Sequence, residues 1–290
     1  MLTRYVLMTF GPDDFRYWQA HWCLLGLLAH APQPREIVMA TDHPERFSWF
    51  GDAIRIHPVT AAEWIGHSGY FLRTLVKTVE LGLFLEPAAE VVVYTDTDTV
   101  ACGDLSPLVE AVRAGSILLD RCEYVLATRR RAGSQALWRQ VHGREWGGLR
   151  VSESTAMWNT GVTALRRADA PMIKQALAAL DAMLAAGGRH YLTEQIAMSA
   201  ALAADTTSRA DTNSRLVEVN PPGKPPAIMH YWGNKDGWNA AIAGHLASIH
   251  LRGLTVAEAA DWLRSHPITL PAVVKTRWWH RLFNVEPRRT

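Results

Sequence analysis

Glu90-Val-Val-Val-Tyr-Thr-Asp-Thr-Asp-Thr-Val100 runs an apolar strand directly into two carboxylates. Val91, Val92, Val93 and Tyr94 are β-branched or aromatic, the composition of a strand buried on both faces in the middle of a sheet. Asp96 and Asp98 follow at a spacing of two. An extended backbone sends alternate side chains to one side, so the two carboxylates converge. In an open α/β sheet, ligands bind beyond the carboxyl ends of the strands. Oxygen ligands at such a place suit a hard divalent cation, magnesium or manganese.

Working outward, Arg4 to Phe10 reads as a first strand ending at Gly11-Pro12, and Phe15 to Ala31 as a helix. Arg35 to Thr41 and Ala53 to His57 read as further strands, and the alternation predicts a mostly parallel sheet wound with helices. Neither glycine-rich nucleotide loop occurs near the first strand. Phe71 to Leu85 reads as a helix closed by Pro87, with Leu72, Leu75, Val76, Val79 and Phe84 on its apolar face. On its polar face Arg73 and Lys77 stand four apart, where like charges repel unless an anion lies between them. A bound diphosphate supplies that anion; Glu80, three after Lys77, is the alternative.

Arg121 to Arg150 holds seven Arg against Glu123 and Glu145 and reads as a long loop over one face, a place for acceptor-binding groups. Met157 to Thr163 reads as a strand carrying Asn159 and Gly161, where an amide beside a glycine allows close approach to a sugar hydroxyl. Asp169 and Pro171 open a helix that stops at Gly187-Gly188. Thr193 caps the next, which places Glu194 and Gln195 in a first turn bordering a cavity. Ala227 to Trp238 brings His230 to a strand end, followed by Gly233 and Lys235, a nitrogen ligand and a phosphate contact.

The 290 residues suffice for one large α/β domain or two smaller ones. A net charge of +2 provides no field selecting nucleic acid. Three widely spaced cysteines argue against a disulfide framework and for a reducing cytosol. No stretch reaches membrane-spanning length. Residues 272–290 hold Lys275, Arg277, Arg281, Arg288 and Arg289 against Glu286. On a helical wheel Val274, Trp278, Trp279, Leu282 and Phe283 fall opposite Arg277, His280, Arg281 and Asn284, the pattern of a helix lying on an anionic membrane surface.

In this order the pieces resemble the family-eight glycosyltransferases of the GT-A fold, the group of glycogenin and the bacterial lipopolysaccharide galactosyltransferases. Asp96-Thr-Asp98 looks like the family's metal site, with Thr97 a donor contact, and Asn159-Thr-Gly161 like its donor-sugar strand. Glu194-Gln195 resembles the family's catalytic Asp-Gln pair. His230-x-x-Gly233 with Lys235 resembles the segment that completes the metal site and holds the diphosphate. Lys77 looks like the lysine on the helix before the metal strand. Glu194 stands in place of the usual Asp, Ser199 where Asn is frequent, and Lys235 comes one residue early.

The resemblance implies a GT-A catalytic domain over 1–240 and a helical extension over 241–290. It implies transfer of a hexose from a uridine diphosphate sugar to a glycan or glycolipid, with retention of configuration. Mn2+ or Mg2+ is then held by Asp96, Asp98 and His230, and Arg73, Lys77 and Lys235 face the diphosphate. The expected place is the cytoplasm, peripheral on the inner membrane face. Two alternatives stand beside it. Asp96-Thr-Asp98-Thr-Val100 also matches the nucleophile motif of haloacid-dehalogenase-like phosphohydrolases, although the acidic pair Asp13-Asp14 lies upstream of the motif rather than downstream. The other is a nucleotide-sugar-binding module without turnover.

Overall fold

The expected central strand is β4, Val91–Thr95, and every one of its residues is buried. The computed structural model describes residues 1–129, 132–203, 215–220, 225–231 and 235–266. Before β4 the chain forms β1 (Thr3–Thr9), α1 (Asp14–His30), β2 (Arg35–Thr41), β3 (Arg55–Pro58), α2 (Ala61–Ile65) and α3 (Arg73–Phe84). After it come β5 (Thr99–Ala101), α4 (Ser106–Arg113), β6 (Ile117–Val125), α5 (Ala132–Val141), and the short pair β7 (Glu145–Trp146) and β8 (Leu149–Arg150). The rest comprises β9 (Ala156–Arg166), α6 (Ala170–Ala185), α7 (Thr193–Ala203), β10 (Leu216–Glu218), β11 (Ile228–His230), α8 (Lys235–Leu251) and α9 (Val256–Ser265).

Seven strands form the main sheet in the order β10-β6-β9-β4-β1-β2-β3. All its pairings are parallel except those of β9, which runs antiparallel to both β4 and β6. The order reverses between β1 and β4, so the carboxyl ends of these strands open onto a crevice. β5 and β11 form a separate antiparallel pair.

The alternation of β4 divides the core into two layers. Val91 and Val93 join the cluster with Trp22, Leu24 and Leu27 of α1, whereas Val92 and Tyr94 join Val76, Val79 and Leu83 of α3. Fully burying one such side chain stabilises the fold by about 1.5–3 kcal/mol. α8 and α9 complete the α1 layer through Trp238, Ile242, Leu246 and Leu263. The boundary expected at 240 therefore falls inside α8, and the described part of the extension shares its core with α1 and the main sheet. The tail at 272–290 lies outside the described residues.

Arg121 to Arg150 is not the long loop expected from its charge. It contains the end of β6, α5 and the β7–β8 hairpin. Leu137, Val141, Trp146 and Leu149 are buried in the α3 layer, so a sparse apolar stripe outweighs the arginines around it.

Gly82 brings α3 onto the sheet. A Cβ there would lie 2.6 Å from Cγ1 of Val92 and 3.0 Å from Cγ1 of Val6. Alanine gains up to about 1 kcal/mol of helix propensity, but overpacking costs about 1–3 kcal/mol. We expect Gly82→Ala to lower unfolding stability in a urea titration, whereas a gain in stability would show that the two layers are loosely joined.

Candidate metal and donor site

β4 ends at Thr95, and the next two carboxylates turn over the crevice. The Asp96 amide donates to the Gly161 carbonyl at 2.7 Å, which ties the turn to β9. The carbonyl of Asp96 accepts from Thr99 Oγ1 at 2.7 Å, and the Tyr94 hydroxyl donates to Asp96 Oδ1. From below, the Cys23 thiol of α1 touches Thr95 and Thr99 at 3.5 and 3.4 Å. Burial pushes that thiol up to about 11, so it supports the turn and is no nucleophile.

His230 reaches the same place through the second sheet. Its register partner on β5 is Thr99, and the next amide, of Tyr231, donates to the Asp98 carbonyl at 2.8 Å. His230 Nε2 lies 3.3 Å from Asp98 Oδ1 and 3.8 Å from Asp96 Oδ2, and Nδ1 lies 3.1 Å from Asp120 Oδ2. One ligand atom from each of Asp96, Asp98 and His230 fits within 4.8 Å of the others. Two carboxylate oxygens and an imidazole nitrogen form a donor set that could hold a divalent ion.

Gly161 shows how closely these groups are gathered. A Cβ there would stand 2.3 Å from Cε1 of His230 and 2.9 Å from Asp96 Oδ2, so the cluster exists only because this position has no side chain. The Asn159 side-chain oxygen accepts from the Gly161 amide at 2.9 Å, and its NH2 donates to Glu123 at 3.3 Å. The carboxamide beside the crevice is thereby fixed in orientation.

Glu194 does not border a cavity as its first-turn position led us to expect. It is 1% exposed, and its Oε1 accepts from the Thr160 hydroxyl at 2.8 Å. Burial raises its carboxyl to about 8; the Thr160 bond opposes the shift and the charge of Asp96 adds to it. At neutral pH it is mostly protonated. Gln195 differs, because its Oε1 is buried and has no hydrogen-bond partner.

The cationic helix face is resolved within the protein. Arg73 makes two bonds to Asp181 of α6, at 2.7 and 3.0 Å, and donates to the Trp64 carbonyl. Lys77 pairs with Glu80. Protein carboxylates thus meet both cations, and Arg73 joins α3 to α6. Thr97 is half-buried in the turn between the aspartates. Lys235 opens α8, and Gly233 lies outside the described residues.

The sequence reading missed Asp120, Thr160 and Glu123. Asp120 had a signal, since Ile117-Leu-Leu-Asp120 repeats the pattern of apolar run and terminal acid seen at Val91–Asp96.

No protein-family model matches the chain, and no curated protein matches it in sequence. Solved structures do. Mouse xyloside xylosyltransferase 1, in its apo form, is similar with a TM-score of 0.50 at 10% identity, over 83% of this chain and 92% of that one. The chain has the GT-A fold. An active-site mutant of LgtC is also similar, with a TM-score of 0.49 at 13% identity, over 84% of this chain and 95% of that one. The phosphohydrolase alternative falls with this architecture, and Asp96 belongs to a carboxylate–imidazole cluster. No helix among the described residues is long and apolar enough to cross a membrane.

Two groups titrate above their ordinary values in the metal-free protein. Burial alone would lower His230, but bonds to Asp120 and Asp98 and the charges of Asp98 and Asp96 push it up to about 10. A folded-state value above the unfolded one gives stability that is full below the unfolded value and lost as pH rises towards the folded one. For Glu194 the window runs from 4.5 to about 8, and for His230 from 6.5 to about 10. In chelator, thermal midpoints should fall as pH is raised through neutrality, and Glu194→Gln should flatten the lower part of that fall. A wild-type midpoint that rises over this range would contradict both assignments.

Proposed function

We propose that this chain is a metal-dependent glycosyltransferase that moves a hexose from a uridine diphosphate sugar to a glycan or glycolipid acceptor, with retention. The observation that carries the reading is the Asp96–Asp98–His230 cluster at the crevice of a GT-A sheet, closed behind by Gly161. Asp96, Asp98 and His230 would hold Mn2+ or Mg2+, which when bound supplies positive charge to the departing diphosphate. The binding-module alternative is disfavoured because gathering these carboxylates around a buried imidazole is costly without a functional return.

The chain's own residues supply the rest. Asn159, fixed by Glu123 and the Gly161 amide, orients sugar hydroxyls through its remaining N–H. As the leaving group departs, the sugar gains positive character. Of the Glu194-Gln195 pair, Gln195 is the one we assign to face it, because its carboxamide oxygen is unpartnered whereas Glu194 is neutral and bonded to Thr160. Glu194 then holds α7 against β9. Lys77 and Lys235 serve the diphosphate, with Lys77 exchanging Glu80 for it; Thr97 is a further donor contact, as is Gly233, which lies outside the described residues. Arg73 is left out of the donor contacts.

Turnover should require a divalent ion. Asp98→Asn or a chelator is expected to abolish both donor hydrolysis and transfer. Addition of Mn2+ should let a uridine diphosphate sugar, and not its guanosine or cytidine counterpart, raise the thermal midpoint. Unchanged turnover in chelator would refute the metal-dependent reading.

The basic, aromatic stretch at 272–290 supports a place on the inner face of an anionic membrane, beside a lipid-linked acceptor. A chain ending at Pro271 should stay folded yet stop sedimenting with anionic vesicles. Sedimentation equal to that of the full chain would end the membrane assignment.

A further inference from the structure

Asp120 lies at the carboxyl end of the apolar half of β6, on a strand that contributes no metal ligand, and is 6% exposed. The pairing of β6 with β9 slips here. Leu119 faces Thr163 and Arg121 faces Asn159, so the single residue Asp120 spans Thr160, Gly161 and Val162. A bulge of this kind bends its strand and re-aims side chains. In this case the bulged stretch contains the one residue whose missing Cβ leaves room for the His230 ring. Asp120 Oδ2 meets that ring at Nδ1, at 3.1 Å, while Nε2 faces Asp98 and Asp96.

We infer that Asp120 is a positioning residue for metal binding: it holds the proton of His230 on Nδ1 and turns the Nε2 lone pair toward the ion. An imidazole has two tautomers, and only one of them offers Nε2 as a ligand. A carboxylate on the far nitrogen selects that tautomer, fixes the ring plane and makes the ligand more basic. The side chain of His230 is only 7% exposed, which leaves little room for the ring to find another partner. β6 thereby acts on the site through His230, without touching the ion.

The inference rests on the metal reading above, and its test uses binding rather than turnover. Mn2+ affinity would be measured on the full chain, without donor, for wild type, Asp120→Ala, Asp120→Asn, His230→Ala and the Asp120→Ala/His230→Ala double variant. Loss of an outer partner of this type weakens metal binding by about 10- to 100-fold. Asp120→Ala should fall in that range, and Asp120→Asn, which keeps an acceptor without the charge, should lose less. Once His230 is alanine, removing Asp120 should change affinity by less than about twofold, since its route to the ion is gone.

Affinity of Asp120→Ala within about twofold of wild type would overturn the inference, as would losses that multiply in the double variant, which would mean that Asp120 meets the ion directly. If the alanine variant fails to fold, a loss of affinity in Asp120→Asn that disappears in the His230→Ala background supports the inference, and no loss, or one that persists there, overturns it. A wild-type chain that binds no Mn2+ would remove the metal reading itself, whereas failure at Asp120 alone leaves that reading intact.

Discussion

The site depends on one backbone constraint, the pairing of β11 with β5. His230 sits opposite Thr99, and the Tyr231 amide bonds to the Asp98 carbonyl, so a late strand is fastened to the turn that carries the aspartates. Without this pair the two carboxylates would remain at the end of β4 with no imidazole between them. A short strand is marginal alone. It persists here because Ile228 and Val100 are buried in the α1 layer, where Gly26 lets the helix approach: a Cβ on Gly26 would lie 3.0 Å from the Ala101 amide. Core packing beneath the site thus sets the distance between its ligands.

Much of this was legible in the chain. Val91 to Tyr94 identified the central strand because four consecutive apolar residues can be buried only where both faces are covered, and they join two different core layers. Asp96 and Asp98 could be paired because they follow an apolar run at a strand end, whereas His230 was joined to them by the resemblance, and it reaches them through the separate β5–β11 pair. Gly161 was legible as a place of close approach, though not as the position that accommodates the His230 ring. The misreadings have a common cause in partners distant along the chain. Spacing revealed the repulsion of Arg73 and Lys77, but Asp181 on α6 was out of its view. A first-turn glutamate looks solvent-facing until Thr160 is seen beside it. The arginines from 121 to 150 masked the fourfold apolar stripe of Leu137, Val141, Trp146 and Leu149.

The antiparallel β9 matters more than its place in the sheet suggests. A parallel strand at that position would present its carboxyl end at the crevice, whereas β9 runs the other way and brings its amino-terminal half, with Asn159, Thr160 and Gly161, there while its carboxyl end lies at the opposite edge. Three consecutive residues then act in three directions. Asn159 points its amide to Glu123, Thr160 bonds Glu194 on α7, and Gly161 makes room for His230. One strand therefore couples the positions of the Asn159 amide, the α7 first turn and the Asp96–Asp98–His230 cluster, and a shift of register by one residue would dismantle all three.

The distribution of charge around the crevice explains why Glu194 and Gln195, adjacent in sequence, are suited to different tasks. Asp96, Asp98 and Asp120 surround a single imidazole, with Asp120 buried, Asp98 nearly so and Asp96 the most open to water. A further ionised carboxylate would add repulsion without a counter-charge, and burial together with the charge of Asp96 keeps the Glu194 proton in place. Neutral Glu194 can then serve as packing and hydrogen-bonding material for the Thr160 contact. Its neighbour Gln195 carries a dipole instead of a charge, so its buried oxygen, unpartnered among the described residues, costs less than a second buried carboxylate would. Such an oxygen favours a group whose positive character develops only during reaction.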